Sequence, residues 1–155
     1  MELALRVHPN TQQVAVVSGS GSQDHLALDL FRQDMSALAN RVSFTILSDL
    51  SMEELRKAVA HLPDHTIVLC LTMFRDATGR NYTPRQALGE FAPASRVPIY
   101  GCYNTYLGHG IVGGSMVTFD EIGRKAAQLG MRILAGEDPQ SAARSEAHEA
   151  VPMFD

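Results

Sequence analysis

The chain has 155 residues, 45% hydrophobic and 19% charged, which points to one compact domain able to bury about 68–70% of its unfolded surface. Thirteen Lys and Arg against 17 Asp and Glu leave a net charge of -4, without the concentrated positive face that nucleic-acid binding requires. Twelve Gly and 7 Pro are an ordinary share that argues against a fibrous or disordered chain, and the longest apolar stretch, Ile67 to Phe74, is strand-sized, far short of the roughly 20 residues of a membrane helix.

Glu2 to Val7 reads as the last turns of a helix ended by His8 and Pro9, because the residue before a proline is pushed out of the α region. Such a stub, with no apolar h-region at the N-terminus, gives the expectation that Met1 starts a fragment of a larger protein. Gln13 to Ser18 is a continuous apolar run, as expected of a strand covered on both faces. Leu26, Leu30, Phe31, Met35 and Leu38 recur at helical spacing and predict a helix from about Asp24 to Asn40. Val42 to Leu47 is a second strand. Ser51 and Glu54 form a capping box opening a second helix, whose stripe is Leu55, Val59 and Leu62.

Thr66 to Thr72 is the most apolar strand and so the most central. A polar loop, Met73 to Thr83, follows it. Thr83-Pro84 starts a short helix to about Phe91, with a capping hydroxyl and proline at the first helical position. Val97 to Gly101 is a fourth strand, and Ile111 to Val117 a fifth after a Gly-rich turn. Thr118 and Glu121 cap a last helix, Asp120 to Ala135, ended by Gly136 and Pro139. The expected fold is α/β, a mostly parallel sheet with helices on both faces over residues 1–139. Residues 140–155 read as a C-terminal tail in which only Val151 to Phe154 looks able to pack.

In open parallel sheets, ligands bind beyond the carboxyl ends of the strands, where loops and helix N-termini converge. The segments selected are Ser18 to Ser22, Ser48-Asp49, Met73 to Asp76, and Gly101 to Gly110. Gly19 and Gly21 have the setting of a dinucleotide fingerprint, but Asp24 replaces its third glycine and would repel pyrophosphate. A tight turn and a helix N-terminus receiving a polar or anionic group both remain open there. Gly108 to Gly113 matches the same letters, but Gly114 to Val117 continues as strand rather than helix. No acidic pair follows the first strand, so a phosphoacceptor receiver is rejected; Gly19-Ser20-Gly21 has the wrong spacing for a nucleophile elbow. Cys70 and Cys102 read as strand residues, and the six histidines show no metal-ligand spacing. No cofactor or metal is expected. Arg75 either pairs with Asp76 or offers its fork to a ligand carboxylate. Tyr103 and Tyr106 are either cleft walls or loop packing. His109, flanked by glycines, keeps a small enzyme with His109 or Asp76 as general acid or base open as a rival.

The succession His8 to Gly19, Phe44 to Leu50, Phe74 to Gly79 and Tyr106 to Gly114 resembles the ABC-transporter substrate-binding-like family, as in the extracytoplasmic sensor region of bacterial sensor histidine kinases. Gly123 to Pro139 resembles the last helix of periplasmic binding proteins. The resemblance implies one lobe, the second, of a two-lobed type I periplasmic-binding-protein fold, and small-molecule binding without turnover. It implies ligand contacts at Ser18, Gly19, Ser20, Phe74, Arg75, Asp76, Tyr103, Asn104 and Tyr106. Asn104 stands where the family often has an acid, which leaves a ligand ammonium without that partner. An extracytoplasmic sensor is the implied role, with a transporter's solute-binding component as the alternative. The last helix, bearing Ile122, Ala126, Leu129, Ile133 and Leu134, would lack a first lobe to pack on, so a homodimer is expected.

Overall fold

The computed structural model describes residues 1–35, 38–144 and 150–155. A six-stranded sheet of order β2-β1-β3-β4-β5-β6 forms the middle layer. Its strands are β1 (Gln13–Val17), β2 (Ser43–Leu47), β3 (Thr66–Cys70), β4 (Ile99–Gly101), β5 (Gly113–Met116) and β6 (Val151–Phe154). The first five run parallel; β6, drawn from the 140–155 segment read as a tail, adds antiparallel to β5.

The apolar runs of β1 and β3 follow from their two covered faces. Val14, Val16, Ile67, Leu69 and Tyr100 meet α1 (Glu2–Val7) and α2 (Ser22–Met35) through Ala4, Leu5 and Leu28. On the opposite face Ala15, Val17, Val68, Cys70 and Ile99 pack on α3 (Met52–Ala60) and α4 (Pro84–Phe91) through Leu55, Val59, Leu88 and Phe91. β3 is buried at every position and lies third in the sheet, as its composition implies.

Local signals start the helices where expected. Ser51 Oγ accepts from Glu54 N while the Glu54 carboxylate accepts from Ser51 N, and Thr83 and Gln86 repeat the arrangement ahead of Pro84. Each cap satisfies amides that the first turn leaves unpaired. The first long helix is described over Ser22–Met35; its expected run to Asn40 crosses residues 36–37, and His148 falls in 145–149, both outside the described residues.

The stripe read for α2 needs correction. Phe31 of that stripe packs on the sheet-side core, but Leu28, outside it, is the residue fully buried there, whereas Leu26 and Leu30 are 54% and 56% exposed. The helix is apolar on two sides because it faces the sheet on one and a cavity on the other. Two further elements, α5 (Phe119–Leu134) and α6 (Pro139–Arg144), complete the described chain. No residue of α5 is fully buried: Ile122 and Leu129 are half-buried, and Ala126, Ile133 and Leu134 are exposed.

β4 and β5 approach through two glycines. A Cβ built on Gly114 would overlap the Gly101 carbonyl oxygen, a backbone atom that cannot swing aside. Gly89, inside α4, has open space around its Cβ position and no positive φ. Urea unfolding should therefore move in opposite directions: Gly114→Ala is expected to lose about 2–3 kcal/mol, and Gly89→Ala to gain up to about 1 kcal/mol.

Candidate functional site

Because β1 lies between β2 and β3, the chain leaves β1 for α2 on one face of the sheet and leaves β3 for α4 on the other. The crevice opens at that switch point. Here it is filled by the chain's own acid. Asp24, in the first turn of α2, is 0% exposed. Its Oδ2 accepts from Gly21 N at 3.1 Å and Arg75 N at 3.3 Å, and Oδ1 from Phe74 N at 3.0 Å. Two further backbone donors of the first loop are also paired, Gly19 N to Thr72 O at 2.9 Å and Ser20 N to Arg75 O at 2.7 Å. A Cβ on Gly19 would collide with the Asp24 carboxylate and Arg75 O, which explains glycine there. Gly19 and Gly21 form a tight turn ahead of α2, and the carboxylate bound at Gly21 N is the chain's own Asp24.

The loop after β3 is organised by a second buried acid. Asp76 Oδ1 accepts from Thr78 N at 2.9 Å, Thr78 Oγ1 at 2.6 Å and Arg80 N at 3.0 Å, and Oδ2 from Tyr82 Oη at 3.1 Å. Burial pushes the Asp76 carboxyl up, but these bonds, with one from Met52 N, outweigh it and hold it below its ordinary value. Arg75 does not pair with Asp76: its Nε donates to Asn81 Oδ1 at 3.0 Å across a short antiparallel bridge.

A cavity of about 630 Å³ opens beside this crevice. Its floor is Thr72 and Tyr106, its sides are Leu26 and Leu30 of α2 and Thr83, Pro84 and Arg85 of α4, and its rim is Phe74, Tyr103, Phe119 and Ile122. Tyr106 follows β4 in a 3₁₀ turn, Asn104–Tyr106, and its hydroxyl donates to Leu71 O at 2.8 Å. Burial raises the phenols of Tyr103 and Tyr106, so both stay neutral. The Tyr103 ring meets Tyr106 edge-on at 5.7 Å and stacks on Phe119 at 5.8 Å with 19° between planes, making a continuous aromatic wall. Phe74, 43% exposed, also lines the cavity.

Of the nine residues expected to contact a ligand, the structure brings Phe74, Tyr103 and Tyr106 into this cavity. Ser18 is buried, its hydroxyl donating to Asp24 O at 2.9 Å, and Gly19, Ser20 and Asp76 serve the loops. Ser18 Oγ, Gly19 N, Ser20 N and the Asp76 carboxylate thus make their hydrogen bonds within the chain, whereas Ser20 Oγ and Asn104 Oδ1 are buried with no hydrogen-bond partner among the described residues. Arg75 and Asn104 are not lining residues. Arg85 was missed. The Thr83-Pro84 helix start was legible, and Arg85, the residue after it, lines the cavity together with both. His109 and both cysteines lie outside the lining. Among the described residues no group of three or more metal-ligating side chains converges, and no helix is long and apolar enough to cross a membrane.

No family model and no curated protein matches the sequence. Solved structures do match. A conserved domain protein of Vibrio cholerae superposes with a TM-score of 0.69 at 20% identity, over 99% of this chain and 50% of that one. CD0873 of Clostridium difficile, a substrate binding protein with adhesive properties in its ligand-free, open structure, gives 0.63 at 13% identity over 88% of this chain and 45% of its own. The chain spans about half the length of each. These likenesses support a substrate-binding-protein-like fold, the mixed α/β architecture expected from the sequence.

Two measurements probe the buried acids. Asp24→Ala leaves three backbone amides without their acceptor, and urea unfolding is expected to show a loss of about 3 kcal/mol or more; Asp24→Asn should fall between it and the parent. For Asp76 the folded carboxyl sits below its unfolded value of about 4. Its contribution is therefore complete above that value and lost as pH falls through the folded one. Stability measured from neutral pH down to pH about 2 should drop less steeply in Asp76→Asn than in the parent.

Proposed function

We propose that this chain is one ligand-contacting half of a substrate-binding-protein-like domain, holding a small molecule against the Phe74, Tyr103, Tyr106 and Phe119 walls without transforming it. The observation that carries this reading is the cavity itself. Among the described residues its lining holds no His, Cys, Asp, Glu or Lys, so no nucleophile and base of theirs face each other across it. Asp76, one candidate for a catalytic acid, has its oxygens committed to the loop; His109, the other, lies outside the lining. Binding by stacking and burial is what such walls supply.

Within that class we read an extracytoplasmic sensor region of a signalling protein, on the resemblance of the loop motifs. A transporter's solute-binding component is the second reading, favoured by the role that CD0873 carries. The exposed stripe of α5 gives a homodimer as the expected assembly. Light scattering from micromolar to millimolar concentration checks it, and a monomer throughout would remove it.

A cavity open on one side leaves much of a bound molecule wet, so affinity should be weak. NMR titration of the chain with a library of small ring-bearing fragments is expected to move the amides of Phe74, Tyr103 and Phe119 with a Kd no tighter than about 1 mM, roughly -4 kcal/mol. Tyr103→Ala should weaken binding about tenfold, the loss of one aromatic contact. Conversion of a bound fragment to product, or micromolar affinity, would overturn the reading.

A further inference from the structure

Resting on the binding reading above, the structure assigns the chemical class of the ligand: we propose a ring compound bearing an acidic group and no ammonium, its anion held by Arg85 and its ring by the aromatic rim.

Charge is the first argument. Among the described residues lining the cavity, Arg85 alone carries a charged side chain, and no carboxylate lies with it. The two buried acids among the described residues, Asp24 and Asp76, do not line the cavity and are saturated by backbone and hydroxyl donors. A ligand ammonium entering here would shed water and find no anionic partner, whereas a carboxylate would meet a guanidinium. Arg85 has no ion-pair partner among the described residues. That sets it apart from Arg80, which is held by Glu90 at 2.7 Å, and from Arg75, whose Nε is bound to Asn81.

A buried hydroxyl supplies the second argument. Thr72 is 4% exposed, lines the cavity floor, and its Oγ1 has no hydrogen-bond partner among the described residues. Buried polar atoms are nearly always paired, so this oxygen is a waiting donor or acceptor for a polar group on the ligand. The third argument is placement. Arg85 stands in the first turn of the eight-residue α4, whose N-terminus carries the positive end of the helix dipole beside the cavity. The ring of the ligand then has Leu26 and Leu30 on one side and the stacked Tyr103 and Phe119 on the other.

Four probes that share one ring separate the possibilities: phenylacetate, 2-phenylethanol, 2-phenylethylamine and phenylalanine, each titrated into the 155-residue chain and followed by NMR. Phenylacetate is expected to bind about tenfold tighter than 2-phenylethanol, with the amine and the zwitterion weaker than either. Arg85→Gln should bring phenylacetate down to the level of 2-phenylethanol while leaving the alcohol unchanged, which mere loss of folding would not do. Thr72→Val should weaken both phenylacetate and 2-phenylethanol with the fold's melting temperature retained. Equal or tighter binding of the amine or of phenylalanine, with shifts at the cavity residues, overturns the acid class and leaves the small-molecule reading standing. So does loss of the acid preference in Arg75→Gln but not in Arg85→Gln. If none of the four probes moves the cavity residues at tens of millimolar, both readings fall together.

Discussion

A carboxylate removed from water costs several kcal/mol unless its oxygens are hydrogen-bonded, and Asp24 meets that requirement by gathering backbone amides from two separate loops. Gly21 belongs to the loop after β1, Phe74 and Arg75 to the loop after β3. The acid is thus a crosslink between segments fifty residues apart in sequence. Three features follow from it. Gly19 must be glycine, because the carboxylate lies where its Cβ would be. Phe74 is pinned by its amide, so its ring stands at the cavity rim. Finally, the switch-point crevice, where an open α/β sheet usually receives its ligand, is closed, and the cavity lies to one side between α2, α4 and the turn after β4.

Much of the architecture is readable in the amino-acid sequence because each signal is local. The capping pair Ser51 and Glu54, the Thr83-Pro84 start, and the unbroken apolar run of β3 act within a few residues of themselves. The contents of the site were less legible for physical reasons. Leu26 and Leu30 keep helical spacing with Phe31, so periodicity alone does not separate the side of α2 that meets the sheet from the side that meets the cavity. Asp24 could be read from the sequence only as an acid that would repel pyrophosphate, because its role in the fold depends on amides that only the folded chain brings near. Ser18 and Asp76 stand at strand ends, as ligand contacts do, and turn out to hold the loops. The strand-end rule finds the region and does not separate supports from walls.

The cavity is built from parts of unequal firmness. Tyr106 is buried, tied by its hydroxyl to Leu71 O, and packed in the main core with Phe91 and Met116. Phe119 and Ile122 come from α5, a helix of 16 residues with none buried. Segments with few buried contacts open at a smaller free-energy cost than the core. Floor and rim therefore belong to regions of different local stability, and a ligand that bridges Tyr103 to Phe119 would couple the two.

The outer edge of the sheet carries its own constraint. Asp155 N donates to Val112 O at 3.0 Å, and backbone amides alternate in direction along a strand, so the amide position of Pro152 in β6 faces away from β5. Proline has no hydrogen to offer there. An incoming strand would meet a four-residue edge whose outward donors are reduced to Phe154, too few to extend the ladder. Edge strands invite cross-chain pairing and amyloid-type growth unless something blunts them. One ring closure in the backbone of residue 152 performs that blunting, while the inward amides of Val151 and Met153 remain available to β5.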